Sequence, residues 1–175
     1  MALIVQKYGG TVAGSPKRIK DLAERVIATQ EMGYQVVVVI SAMEGETDRL
    51  LGLSRSMTTS PDAREQDALL STGEQVSAAM LALAIKGMGY KARSWLGHQI
   101  VLTDNDFGRA RIKRVNISRL KRSLEEGEIP VVAGFQGVDK EGNITTLGRG
   151  GSDTTAVALA SALKADECEI YTQVD

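Results

Sequence analysis

The chain has 175 residues, 43% apolar and 25% charged, enough for one good hydrophobic core and an ordinary soluble balance. Its formal charge of −1 gives no general attraction for nucleic acid or acidic membranes, no apolar run approaches the roughly 20 residues of a bilayer span, and the opening MALIVQK is too short for a signal peptide. Cys168 and His98 are the sole cysteine and histidine, which excludes an intrachain disulfide and multi-cysteine or multi-histidine metal sites and fits a reducing, cytoplasmic setting.

Ala2 to Lys7 reads as a short buried strand ending at Gly9-Gly10. Ser15-Pro16 starts a helix, with a hydroxyl at the cap and proline at the first helical position. Ile19, Leu22, Ala23, Val26 and Ile27 carry that helix to a stop at Gly33. Val36 to Ile40, all β-branched, predict a strand covered on both faces. Thr47 to Met57 predicts a helix, Thr58 to Pro61 a loop, and Arg64 to Lys86 one longer helix ended by Gly87 and Gly89. A strand follows near Lys91 to Trp95, and Gly97 to Arg111 reads as irregular and polar. Ile117, Leu120 and Leu124 mark a helix, Ile129 to Ala133 a strand, and Val138 to Thr146 a hairpin turning over Lys140 to Asn143. Asp153 to Leu163 predicts the last helix and Glu169 to Thr172 the last strand. This alternation predicts an α/β fold: a mainly parallel central sheet with helices on both faces and a small β-hairpin, with no linker or repeat.

In such a sheet, ligands gather beyond the carboxyl ends of the strands. Those ends read Lys7-Tyr8-Gly9-Gly10-Thr11, Ser41-Ala42-Met43, Gly134-Phe135-Gln136-Gly137 and Thr172, so glycines and hydroxyls recur along one edge. Glycines let the backbone approach a phosphate, and Lys7 adds a positive charge for a transferring phosphoryl group; alone, the segment equally reads as a turn with a solvated lysine. A second glycine-rich loop, Gly148 to Thr155, places Arg149 between glycines, where a guanidinium can clamp a carboxylate. Its plainer reading is a helix capped by Ser152 or Asp153. Neither loop has the Walker or Rossmann spacing. Glu74, in Ser71-Thr72-Gly73-Glu74-Gln75, reads either as a ligand for a substrate ammonium or as an exposed helix charge. Gly73 inside a helix marks a close approach or a helix start.

Together KYGGT at Lys7, SAMEGETDRLL at Ser41, STGEQVS at Ser71, VVAGFQGVD at Val131 and TTLGRGGSDTTAVALA at Thr145 resemble aspartate kinases of the amino acid kinase family, in family order and over essentially the whole chain. The resemblance implies ATP-dependent phosphorylation of the L-aspartate side-chain carboxylate to 4-phospho-L-aspartate, the entry step to lysine, threonine and methionine synthesis. It implies that Lys7 meets the transferring phosphoryl group with Gly9, Gly10 and Thr11 beside the phosphates. Ser41 and Thr47 would line the substrate region, Glu74 would hold the ammonium and Arg149 the α-carboxylate. Gly150, Gly151 and Ser152 would shape the pocket, Asp153 would organise lysine and phosphate, and Thr172 would begin the nucleotide side. No general base is needed, because a carboxylate is already ionised at neutral pH. Mg²⁺ would come with ATP, with no metal site formed by the chain itself. Self-association is also implied, as are a nucleotide-binding half and regulatory domains beyond Asp175, making residues 1–175 the amino-terminal, amino-acid- and phosphate-binding part.

Three positions depart from the family pattern: Val12 stands in place of a hydroxyl, Glu44 in place of a small residue and Gln173 in place of an acid. These departures, with the absent nucleotide half, frame the alternative of a non-catalytic aspartate-binding or assembly module. Cys168 is expected as a buried strand thiol, His98 as a loop residue, Trp95 at a strand end, and Arg109, Arg111, Lys113 and Arg114 as a solvated basic face.

Overall fold

The computed structural model describes residues 1–172. Its centre is a sheet of five parallel strands in the order β3 (Ala92–Trp95), β6 (Ile129–Ala133), β2 (Gln35–Ile40), β1 (Leu3–Tyr8) and β9 (Glu167–Tyr171). Side chains alternate across a strand, so the continuous apolar run of β2 feeds two cores. Val36, Val38 and Ile40 pack with α1 (Pro16–Glu31) and α4 (Thr72–Gly87), while Val37 and Val39 pack with α6 (Ile117–Glu125) and α7 (Gly151–Leu163). Each fully buried valine or isoleucine there contributes about 1.5–3 kcal/mol of transfer free energy. Helix α1 begins as its sequence dictates: the Ser15 hydroxyl accepts from Arg18 N at 3.3 Å, Pro16 follows, and Gly33 closes the turn at φ +99.

The expected single helix from Arg64 to Lys86 is two, α3 (Ala63–Leu70) and α4, joined at Ser71. Ser71 keeps helical angles (φ −61, ψ −23), but its carbonyl accepts the Gln136 amide at 2.8 Å, leaving Gln75 N at 3.4 Å. A buried side chain from another element thus competes for the ladder. Taken together, Ala63–Gly87 is long and apolar enough by length and composition to cross a membrane, but half of its most apolar window is buried inside the fold, as in the core helix of a globular domain.

Gly97 to Arg111 is more regular than its polarity suggests. It holds the short helix α5 (Gly97–Ile100) and strand β4 (Val101–Thr103), followed by a loop into β5 (Ile112–Val115). With the hairpin β7 (Gln136–Val138) and β8 (Ile144–Thr146), these form a second sheet in the order β5-β4-β7-β8. The hairpin is thus half of a four-stranded layer. Gly137 makes the layer possible, since a Cβ there would lie 2.7 Å from the Val101 carbonyl oxygen. The hairpin turn is held by Asp139, whose carboxylate accepts from Glu141 N, Asn143 N and Asn143 Nδ2 at 2.9–3.0 Å.

Trp95 closes β3 against the α6–α7 core. His98 lies in α5 rather than in a loop. Cys168 is exposed, not buried, because it lies on β9, an edge strand among the described residues. Arg109, Arg111, Lys113 and Arg114 are exposed, as expected. Gln173 lies outside the described residues.

Candidate active site

A cleft of about 540 Å³ opens at the carboxyl edge of the central sheet. Four segments line it: the end of β1 and its turn (Lys7, Gly9, Gly10, Thr11), the β2–α2 segment (Ser41, Thr47), the first turn of α4 (Glu74), and the β8–α7 loop with the first turn of α7 (Arg149, Gly150, Gly151, Ser152, Asp153). Here α2 spans Glu46–Met57. Thr172, just past β9, completes the wall. Every site residue expected from the sequence therefore faces one cavity. Strand direction explains this for Lys7, Ser41 and Thr172, since parallel strands end on the same side.

Lys7 is only 6% exposed, and its Nζ lies 2.7 Å from Asp153 Oδ1. The contact is a short ion pair without hydrogen-bond alignment. A Cβ on Gly9 would stand 3.3 Å from Lys7 Nζ, so glycine keeps the ammonium uncovered. The Gly9 amide is itself committed, donating to Tyr171 O at 2.9 Å. Among the described residues, the amides of Gly10 and Thr11 donate to nothing, so both are available to an anion. The Thr11 hydroxyl donates to Thr172 O at 2.6 Å, fastening the turn to the end of β9.

Neither Ser152 nor Asp153 caps α7. Its cap is Gly150, at φ +76, with no side-chain hydrogen bond. Ser152 instead accepts from the Ser41 hydroxyl at 3.0 Å, joining two walls of the cleft. Asp153 sits in the first turn of α7, where the helix dipole favours a carboxylate. Arg149 is exposed and makes no ion pair among the described residues.

Glu74 is not an exposed helix charge. It is 4% exposed, and its Oε1 has no hydrogen-bond partner among the described residues. Burial pushes its carboxyl up to about 7, opposed by the Glu74 and Ala42 backbone amides. An enclosed carboxylate with one oxygen lacking a partner is a receptor for a cation or hydrogen-bond donor. Gly73 provides the close approach: a Cβ there would meet Ala42 Cβ at 3.0 Å, so α4 lies directly on the Ser41–Gly45 segment.

Of the departing positions, Val12 is 5% exposed within the α1–α4 core, so its side chain packs there and does not line the cleft. Glu44 is exposed at the cleft mouth. Sequence reasoning did not single out Phe135, which also lines the cleft. It adopts φ +76, its amide donates to Thr155 Oγ1 at 3.1 Å, and its ring lies so close that a Cβ on Gly151 would be 2.6 Å from Cδ1. Its place after the buried run of β6 was the available signal. Asp67 was also missed. It lies seven residues before Glu74, on the inward stripe of the helix, and an acid on such a stripe is informative. Among the described residues, no group of three or more His, Cys, Asp or Glu side chains is arranged to hold a metal.

The chain is 55% identical over 176 aligned residues to an aspartate kinase of Pseudomonas putida, covering all of this chain and 43% of that protein. It resembles the crystal structure of aspartate kinase from Synechocystis at TM-score 0.87 and 48% identity, covering 99% of this chain and 28% of the other. It also resembles E. coli aspartokinase III, solved in complex with lysine and aspartate, at TM-score 0.84 and 25% identity, over 98% of this chain and 49% of the other. The chain thus spans less than half the length of these relatives. The amino acid kinase family model matches residues 2–175, and the chain belongs to that family.

Proposed function

We propose that residues 1–175 are the amino-acid- and phosphate-binding part of an aspartate kinase, which transfers the γ-phosphoryl group of ATP to the side-chain carboxylate of L-aspartate. The observation that carries this is one cleft containing a buried carboxylate with an unpartnered oxygen, a guanidinium on a glycine loop and a buried lysine. Glu74 receives the substrate ammonium and Arg149 its α-carboxylate, which directs the side-chain carboxylate toward Lys7. A carboxylate oxygen attacks the γ-phosphorus; the new P–O bond forms as the bond to the β-phosphate oxygen breaks and ADP leaves. No proton has to move, because the attacking carboxylate is ionised. Lys7, held by Asp153, and the Gly10 and Thr11 amides neutralise charge on the transferring group. Ser41 and Thr47 border the amino acid, Gly150, Gly151 and Ser152 shape its loop, and Thr172 lies toward the nucleotide. Mg²⁺ enters with the ATP phosphates. Self-association, expected from the family, is measurable by light scattering.

The name and bound aspartate of the relatives support this reading. Its test is hydroxamate trapping of the acyl phosphate, using the natural full-length gene product with L-aspartate, ATP and Mg²⁺. Hydroxamate that depends on both substrates is expected, and its absence overturns the proposal. Calorimetry on the same full-length protein separates the alternative: aspartate binding without ATP binding, and without hydroxamate, identifies a binding module.

A further inference from the structure

Asp67 is the least exposed charged side chain among the described residues, at 1%. No cation pairs with it there. Its carboxylate is satisfied by three neutral donors: Oδ2 accepts from Thr146 N at 2.8 Å and Gly108 N at 3.0 Å, and Oδ1 accepts from the Thr146 hydroxyl at 2.8 Å. Thr146 ends β8. One side of that strand pairs with β7; toward the other, Thr146 N meets Asp67 and Thr146 O accepts from Ala110 N at 3.0 Å. Asp67 and the loop before β5 therefore stand where a neighbouring strand would.

The two segments joined at this point lead straight to the cleft. Along the α3–α4 stripe, Asp67 is followed by Leu70 and then Glu74. Along the chain from Thr146, two residues, Leu147 and Gly148, lead to Arg149. The third partner adds a brace: Gly108, at φ +84, belongs to a loop whose Asp104 accepts from Asp106 N and Arg111 N at 3.1 Å. A Cβ on Gly148 would come within 4.0 Å of Arg109 Cα, so this loop lies against the base of the Arg149 segment.

We propose that Asp67 is a positioning residue: it fixes the Arg149 loop relative to Glu74, and so sets the spacing at which the cleft receives the carboxylate and ammonium of an α-amino acid. The proposal rests on the aspartate kinase reading above. A charge buried without a counter-ion is a costly way to glue two elements together, whereas a neutral or apolar pair would do so more cheaply. What the carboxylate adds is geometry, because two oxygens fix three donors from two segments.

The test measures KM for aspartate, KM for ATP, kcat and thermal midpoint in the natural full-length protein and its Asp67→Ala, Asp67→Asn and Thr146→Val variants. Asp67→Ala is expected to raise the aspartate KM about tenfold or more, with the ATP KM changed less than about twofold. Asp67→Asn is expected to recover most of this, because its carbonyl can still accept from Thr146 N and Gly108 N. Thr146→Val, which deletes one donor, is expected to raise the aspartate KM about threefold. An unchanged aspartate KM in folded Asp67→Ala overturns the proposal, as does a rise of both KM values together. If Asp67→Ala does not fold, an unchanged aspartate KM in both remaining variants overturns it. Normal turnover by the unaltered protein with unmoved variants strikes only the role of Asp67; no turnover by the unaltered protein strikes the kinase reading itself.

Discussion

Lys7 and Glu74 carry buried charge on the end of a strand and the first turn of a helix, whereas Arg149 and Glu44 carry exposed charge on loops at the cleft mouth. The two pairs meet their costs at different stages. For the buried pair, desolvation and ordering are met during folding, so both groups stand ready for the reaction. Arg149 keeps its hydration and its freedom until a ligand arrives, and ordering it draws on the binding free energy. On the floor, Lys7 should therefore govern rate and Glu74 the pH dependence of affinity, while the mouth should govern affinity at a given pH.

The largest expected effect is at the floor. Lys7→Met should lower kcat by about 10²–10³, the range for losing one preorganised electrostatic group, with aspartate affinity by calorimetry nearly unchanged. An equal loss of affinity would erase the distinction between floor and mouth. At the mouth, Arg149→Ala should raise the aspartate KM about 10–100-fold with a smaller change in kcat, as expected for losing a charge-assisted hydrogen-bonding pair. Arg149→Lys should restore only part of it, because a lysine cannot make the two parallel bonds.

Glu74 offers a sharper probe through pH. Its carboxyl sits at about 7, so the ligand-free cleft holds it protonated in mild acid, while an ammonium requires it ionised. Aspartate affinity should fall up to about tenfold per pH unit below that value, with protons released on binding there. The stability effect has the opposite sense. With the folded value raised above the unfolded one, the contribution is complete below about pH 4.5 and disappears as pH rises through about 7. Glu74→Gln should remove that loss and stabilise the ligand-free protein at pH 8 by about 2–3 kcal/mol in denaturant titration. An unchanged pH profile in that variant would assign the titration elsewhere. The smallest effect concerns the boundary between floor and core. Val12→Ser should destabilise by about 1–3 kcal/mol, through a hydroxyl placed in an apolar cluster, without raising kcat.

The central sheet was legible because its signals are local: β-branched runs such as Val36 to Ile40, bounded by glycine and cap residues, admit few other conformations. The cleft was legible for a related reason, since parallel strands bring their carboxyl ends, and hence Lys7, Ser41 and Thr172, to one edge. What escaped depends on partners distant in sequence. Strands β4 and β5 are three and four residues long, and β5 is rich in basic residues; they become strands because Gly137 admits a neighbour. The break at Ser71 is caused by Gln136, which lies 65 residues away. Burial of Glu74 follows from the contact of Gly73 with Ala42, which a helical pattern does not reveal. The exposed Cys168 reflects the position of β9 in the sheet order, and the residues of a single strand do not record that position.

The contact between Gly73 and Ala42 also determines how readily the cleft can be altered. One wall rests on the other with only a hydrogen atom at position 73 to separate them, a Cβ there standing 3.0 Å from Ala42 Cβ. The clearance between Glu74 and the Ser41 segment is thus measured by backbone and not by any rotatable side chain, and backbone tolerances are tenths of an ångström in a close-packed interior. A helix with alanine at 73 would be intrinsically more stable by about 0.8–1.0 kcal/mol, yet it would wedge the walls apart. Position 73 works as a spacer of fixed thickness: substrate range can drift through Arg149 and Glu44 at the mouth, while the bottom gauge changes only in whole-atom steps.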